Sequence, residues 1–276
     1  MTDPVLVLLA GAVLGLVLGL LGGGGGILAV PMLVALGEPV LVASTMSLVI
    51  VGVGAAAALV PHHRAGRVDW RIGLIFGALG AVGAVVGSRI APMLSASVLL
   101  AGLVVLLVIG AWLMLRGAYR AWKRHVDAMA GTETVAGIVT PGVSVLDASR
   151  APEPLKISWP KTIVLATAVG LVTGVFGVGA GFVVVPALTA AMHVPVRRAT
   201  ATALVVIVIN SAVALVARHE HMGPATMTVT LAVATAAFST VGAMLSPRIP
   251  TWLLSAAFGT LMVVVAIYTL GKVVTS

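Results

Sequence analysis

Apolar runs near twenty residues long recur along almost the whole chain, at about 5–36, 40–60, 71–90, 96–116, 162–191, 198–217, 224–245 and 250–271. Most are long enough to cross a hydrocarbon core of roughly 30 Å as a helix. Lipid offers no partner for backbone polar groups, so only helices and closed barrels can span it. These runs are continuous and do not alternate, which excludes a β-barrel. Charged residues make up 9% of the chain, against about 25% in a soluble domain. The sequence therefore specifies an all-α polytopic membrane protein. The net charge of +8 sits mostly in loops and reads as topology rather than nucleic-acid binding. Met1-Thr2-Asp3-Pro4 lacks the basic start of a signal peptide, so the first run is expected to be retained. There is no cysteine, hence no disulfide framework and no thiol nucleophile.

The chain repeats itself. Shifted by 155 residues, GLVLGLLGGGGGILAVPMLVA (15–35) lies over GLVTGVFGVGAGFVVVPALTA (170–190), with 11 of 21 positions identical. Gly22 meets Gly177, Gly24 meets Gly179, Gly26 meets Gly181 and Pro31 meets Pro186. One residue is inserted beyond this, and Ser44 then falls on Thr200. Two membrane repeats are expected, 1–116 and 162–276. A polar cytoplasmic linker over 117–161 joins them, beginning with Arg120, Lys123 and Arg124. Internal repeats of this kind are the common plan of secondary transporters.

Gly22 to Gly26 interrupt what otherwise reads as a membrane helix, and Gly177, Gly179 and Gly181 repeat the interruption. The flanks are membrane-apolar with no βαβ pattern, so this is not a dinucleotide-binding loop. Five glycines cost a continuous helix about 1 kcal/mol each. The 5–36 run would be about 48 Å long as a straight helix, too long for one ordinary crossing. Pro31 and Pro186 follow and donate no backbone hydrogen bond. Gly11, Gly15 and Gly19, four residues apart, suit close helix packing. The glycine clusters suit either packing or a broken helix lining a transport path. Matching Gly/Pro breaks in two halves favour the path. Freed N–H groups and the positive end of a second half-helix, near Gly26 or Gly181, favour an anion.

The motifs GLLGGGGGILAVPML with ASTMSL, GVFGVGAGFVVVPAL with ATATAL, and HHRAGRVDW (62–70) resemble the TauE/SafE family of membrane permeases. The likeness covers both halves. It implies transport of sulfite, sulfoacetate or related organosulfonates, with no cofactor. The second half departs from it, with Arg218-His219-Glu220-His221 where the first has HHRAG.

Substrate-lining candidates are Gly22, Gly24, Gly25, Gly26, Pro31, Gly177, Gly179, Gly181 and Pro186, with the hydroxyls of Ser44, Thr45, Ser47, Thr200 and Thr202. Those hydroxyls can cap a helix or bond a ligand oxygen. Asn210, deep in an apolar run, either bridges helices or binds substrate. No carboxylate lies inside a predicted span, so proton coupling would fall to histidine, with His63 and His219 foremost and His62 and His221 beside them. Trp70, Trp112, Trp159 and Trp252 read as interface anchors.

Lys and Arg concentrate on one side whether each broken run crosses once or doubles back. In the second case Arg197, Arg198 and Arg248 move inside and Arg218 and Lys272 outside, and the halves are inverted. The length of the broken runs favours inversion. The expectation is a prokaryotic inner-membrane carrier for small sulfur-containing anions, working by alternating access. A passive anion channel of the same architecture is the alternative. A membrane-embedded enzyme is disfavoured by the absence of intramembrane carboxylates and of metal-ligand clusters. Expected partners are a small anionic substrate and the lipid bilayer, with no nucleic acid. Small-residue faces would also permit a homodimer.

Overall fold

A computed structural model describes residues 4–22, 24–131, 159–179, 181–192, 194, 196–249 and 251–275. Among these there is no β-strand; all regular structure is helical, as a polytopic all-α membrane protein requires. The first apolar run divides at its glycines into α1 (Pro4–Leu21), a 3-10 turn (Gly24–Leu28) and α2 (Ala29–Ala35). Then come α3 (Val40–Arg64), α4 (Trp70–Ile90) and α5 (Ala96–Gly131). The second half repeats this order as α6 (Trp159–Phe176), α7 (Gly181–Met192), α8 (Val196–Ala217), α9 (Ala225–Leu245) and α10 (Thr251–Thr275). Six helices among the described residues are long and apolar enough to cross a membrane.

The helix α5 does not stop at 116, where the linker was expected to begin, but runs on to Gly131. Its extension, GAYRAWKRHVDAMAG, has no proline and is rich in Ala, Arg, Lys and Met, all good helix formers. Polarity ended the apolar pattern there without ending the helix. The remainder of the expected linker, 132–158, lies outside the described residues.

Side-chain contacts fix the direction of each helix. Gly11, Gly15 and Gly19 of α1 meet Ala234, Thr235 and Ser239 of α9 in ascending order, so these helices run parallel. Gly170 and Gly174 of α6 meet Gly80 and Ala84 of α4 in the same way. Each half thus lays its first helix against the fourth helix of the other half. By contrast, Ser44 at the start of α3 meets Arg218 just past the end of α8. At the other end, Thr202 near the start of α8 meets Asp69 just past the end of α3. The repeat-equivalent helices α3 and α8 are therefore antiparallel.

The broken run doubles back. Gly22 adopts φ +60, a left-handed turn that glycine takes at little cost. A Cβ on Gly25 would lie 2.8 Å from the Leu18 Cα, so the returning segment packs directly on α1. After the return, α3 sets out from the face where α1 began. As a result Arg64, Arg67, Arg71, Arg116, Arg120, Lys123, Lys161, Arg198 and Arg248 share one face, and Arg89 and Arg218 lie at the other.

Burial follows the same plan. Residues Ala201 to Ile207 of α8 are buried on every side, the mark of a central helix. Val5, Leu6, Leu8 and Leu9 of α1 and Val82, Val85 and Val86 of α4 are exposed, as lipid-facing side chains are. Between the paired helices the glycines carry the approach. A Cβ on Gly15 would stand 2.9 Å from both the Phe238 Cβ and the Ser239 nitrogen. One on Gly170 would collide with the Gly80 carbonyl. Gly15→Leu and Gly170→Leu are each expected to cost about 1–3 kcal/mol or more by overpacking, read as a lower unfolding temperature in detergent. Gly117→Leu, with nothing within 4 Å, is expected to leave that temperature unchanged or slightly higher.

Candidate functional site

The two glycine breaks meet at the centre of the molecule. Gly26 lies against the Val178 carbonyl, with a Cβ position 2.7 Å from that oxygen and 3.0 Å from Val51 Cγ1. Gly179, at φ +65, lies against the same Val51 at 2.6 Å and against Ile207 at 3.5 Å. Val51 of α3 and Ile207 of α8 are repeat equivalents, so both breaks converge where the antiparallel central helices cross. Irregular backbone at membrane depth survives only when buried in protein or facing a wet cavity, and Gly24, Gly25 and Gly26 are buried. The gap beside the first break, lined by Leu14, Leu18, Gly25, Gly26, Ala29, Ile50, Val51 and Thr235, is too narrow for water. That part of the centre is closed.

Each break is also pressed against the opposite half. Gly22 touches the Thr200 methyl, with the Thr200 carbonyl 2.8 Å from its Cβ position. Gly177, at φ +69, presses its Cβ position onto the Ser44 carbonyl. Ser44 and Thr200 are the aligned hydroxyl residues of the repeat, so the contact is reciprocal. Gly22→Ala and Gly177→Ala combine a left-handed φ, worth about 1–2 kcal/mol for a residue with a Cβ, with a backbone collision. Both are expected to lower the unfolding temperature well beyond Gly37→Ala, where φ is +98 but nothing lies within 4 Å.

Of the hydroxyl candidates, Ser44, Thr45, Ser47 and Thr202 are buried and Thr200 is half-buried; several are engaged. Ser44 Oγ donates to the Leu41 carbonyl at 2.8 Å and Thr45 Oγ1 to the same oxygen at 3.0 Å. Ser47 Oγ lies between the Ser44 carbonyl at 2.8 Å and the Gly177 carbonyl, bridging α3 to the second break. Thr202 Oγ1 accepts from the Asp69 N–H at 3.1 Å. Asn210 is 1% exposed, and neither end of its amide has a partner. It faces Gly80, where a Cβ would come within 2.9 Å of the amide. Pro31 is buried within α2, Gly181 opens α7 and Pro186 lies inside α7.

The histidines named for proton coupling lie apart from this centre. His63 is exposed, and its Nδ1 accepts from Trp70 Nε1 at 3.1 Å. His219 is exposed beside the Val216 carbonyl. His62, by contrast, is buried at 2% exposure against the backbone of Gly19. On the basic face, Gly66, Arg67, Val68, Asp69, Trp70, Arg71 and Arg198 line a cavity of about 220 Å³.

Arg218 entered the sequence reading only as a topology residue and a departure between the halves, not as a site candidate. Arg218 is 2% exposed, and its guanidinium donates to the Val175 carbonyl at 3.4 Å and the Ser44 carbonyl at 3.5 Å. Burial pushes its pKa down to about 10, which still leaves it cationic at neutral pH. The signal that could have found it is the repeat register: 156 residues separate it from His62, which is likewise buried at a helix end.

Comparison with known proteins identifies the family. Residues 7–269 match the family described as "Sulfite exporter TauE/SafE". The chain belongs to the TauE/SafE family. Two proteins named "Probable membrane transporter protein", from Xylella fastidiosa strains 9a5c and Temecula1 (ATCC 700964), are each 31% identical over 270 residues. That span is 95% of this chain and 93% of each relative. No solved structure matches it. The chain is thus a multi-pass membrane transporter, a member of a transporter family rather than an enzyme family.

Proposed function

We propose that this transporter carries small sulfur-containing anions, sulfite or organosulfonates such as sulfoacetate, across the prokaryotic inner membrane by alternating access. The observation that supports this most is the meeting of two glycine breaks, one from each half, between antiparallel equivalent helices. The two repeats, 1–116 and 162–276, are the moving bodies, inverted relative to one another. The positive-inside rule turns the arginine-rich face to the cytoplasm. There the cavity lined by Arg67, Arg71 and Arg198 would concentrate anions at the inner mouth. When the halves rock apart, the N–H groups around Gly24–Gly26 and Gly179–Gly181 and the neighbouring hydroxyls become available to substrate oxygens. In the closed state Ser47 Oγ ties α3 to the second break at the Gly177 carbonyl.

A ligand panel tests the substrate. A ligand at 100 times its dissociation constant stabilises by about 2.7 kcal/mol. Sulfite or sulfoacetate is expected to raise the unfolding temperature selectively over sulfate, phosphate, acetate and chloride. In liposomes, flux should saturate and show counterflow. Unsaturated, voltage-driven current would favour a channel of the same architecture.

A cross-link tests the motion. The chain has no native cysteine, and a Cβ on Gly52 of α3 would stand 3.2 Å from the Ser211 Cβ of α8, close to disulfide reach. In the double variant Gly52→Cys with Ser211→Cys, oxidation is expected to reduce transport to background and reduction to restore it. Undiminished flux through the oxidised protein would rule out rocking of the halves.

A further inference from the structure

Arg218 lies just past α8, on the face opposite the arginine-rich one. A buried charge is tolerated when it is paired and fully hydrogen-bonded. Here the guanidinium's hydrogen bonds run to two main-chain carbonyls at long range, its Nε has no partner, and among the described residues no carboxylate contacts it. A guanidinium offers five donors in a planar fork shaped for an oxyanion. This one is poorly satisfied as it stands.

Its position gives the unused donors a meaning. Val175 belongs to the last turn of α6, immediately before the second break. Ser44 is the residue against which Gly177 of that break is pressed. The guanidinium therefore ties the first half's α3 to the second half's α6 beside the break. His221 lies in the same turn, its N–H donating to the Arg218 carbonyl at 3.2 Å, and its Nδ1 is buried without a partner. Two nitrogen-bearing side chains with unused buried atoms thus share one turn. On the opposite face the repeat-equivalent position holds His62, also buried at a helix end.

Building on the anion reading above, we propose that Arg218 contacts the substrate at the second break. As α3 and α6 part, its guanidinium exchanges the Val175 and Ser44 carbonyls for the oxygens of a sulfite or sulfonate group. In the closed state the same side chain latches the two halves on that face. Substrate and latch compete for one fork, so the anion itself favours opening there.

The test is titration calorimetry on the full-length purified chain with sulfite and with sulfoacetate, alongside its unfolding temperature without anion. A hydrogen-bonded charge is worth about 10- to 100-fold in affinity. Arg218→Gln is expected to weaken binding by that factor. Arg218→Lys keeps the charge but loses the fork and should weaken it about threefold to tenfold. Arg89→Gln, an exposed arginine on the same face, should bind as the wild type does. A wild-type protein that binds either anion while Arg218→Gln binds within threefold of it overturns this assignment and leaves the anion reading standing. Should Arg218→Gln not fold, unchanged affinity in Arg218→Lys overturns it equally. A wild-type protein that binds neither anion overturns the anion reading and this assignment together.

Discussion

The structure depends on how backbone freed by a broken helix is kept away from lipid. Gly22 and Gly177 turn the chain through left-handed backbone, and each is covered by the start of the other half's central helix, at Thr200 and Ser44. A side chain at either glycine would occupy the place of that covering backbone. The halves cannot therefore fold side by side as independent bundles. The same necessity lays α1 on α9 and α6 on α4, where Gly15 and Gly170 let main chains nearly touch. In lipid there is little hydrophobic drive between helices, so close packing of this kind carries the association.

Within this pseudo-symmetric frame the two faces differ chemically. Where the first half has His62, the second has Arg218; where the first has Gly54, the second has Asn210. Ser47 bridges to the second break, while its counterpart on α8 is Ala203 and has no hydroxyl to offer. The second break has two left-handed glycines, Gly177 and Gly179, whereas Gly24 of the first sits in a 3-10 turn. A transporter with identical halves would present the same chemistry to both sides. These differences give each mouth its own, with an open arginine-lined cavity on one face and the buried Arg218 on the other.

Much of the frame was legible in the residues because it rests on composition and periodicity, which are local. Apolar run length gave the helices, and the 155-residue shift paired the breaks. Glycine and proline marked where the first run divides, and the extra length of that run pointed to a chain that doubles back. The end of α5 was misplaced because loss of apolarity was read as loss of helix, although Ala, Arg and Lys continue a helix in water as readily as Leu does in lipid. The hydroxyls at 44–47 and at 200–202 open antiparallel helices and so lie at opposite ends, beside Gly177 and Gly22 respectively, and neither that separation nor their acceptors were readable. Ser47 bonds to Gly177, 130 residues away.

The sequence by itself determined that this chain is a helical membrane protein made of two glycine-broken repeats, because lipid permits few structures and the apolar pattern selects one. Tertiary structure alone decided which glycines pack on backbone and which turn the chain, and that Arg218 is buried while His63 and His219 are exposed. A basic residue at the end of an apolar run reads the same whether it reaches into headgroups or folds back beneath a neighbouring helix. Only the helix that packs over it, here α3 with its Ser44 carbonyl, settles which of the two it does.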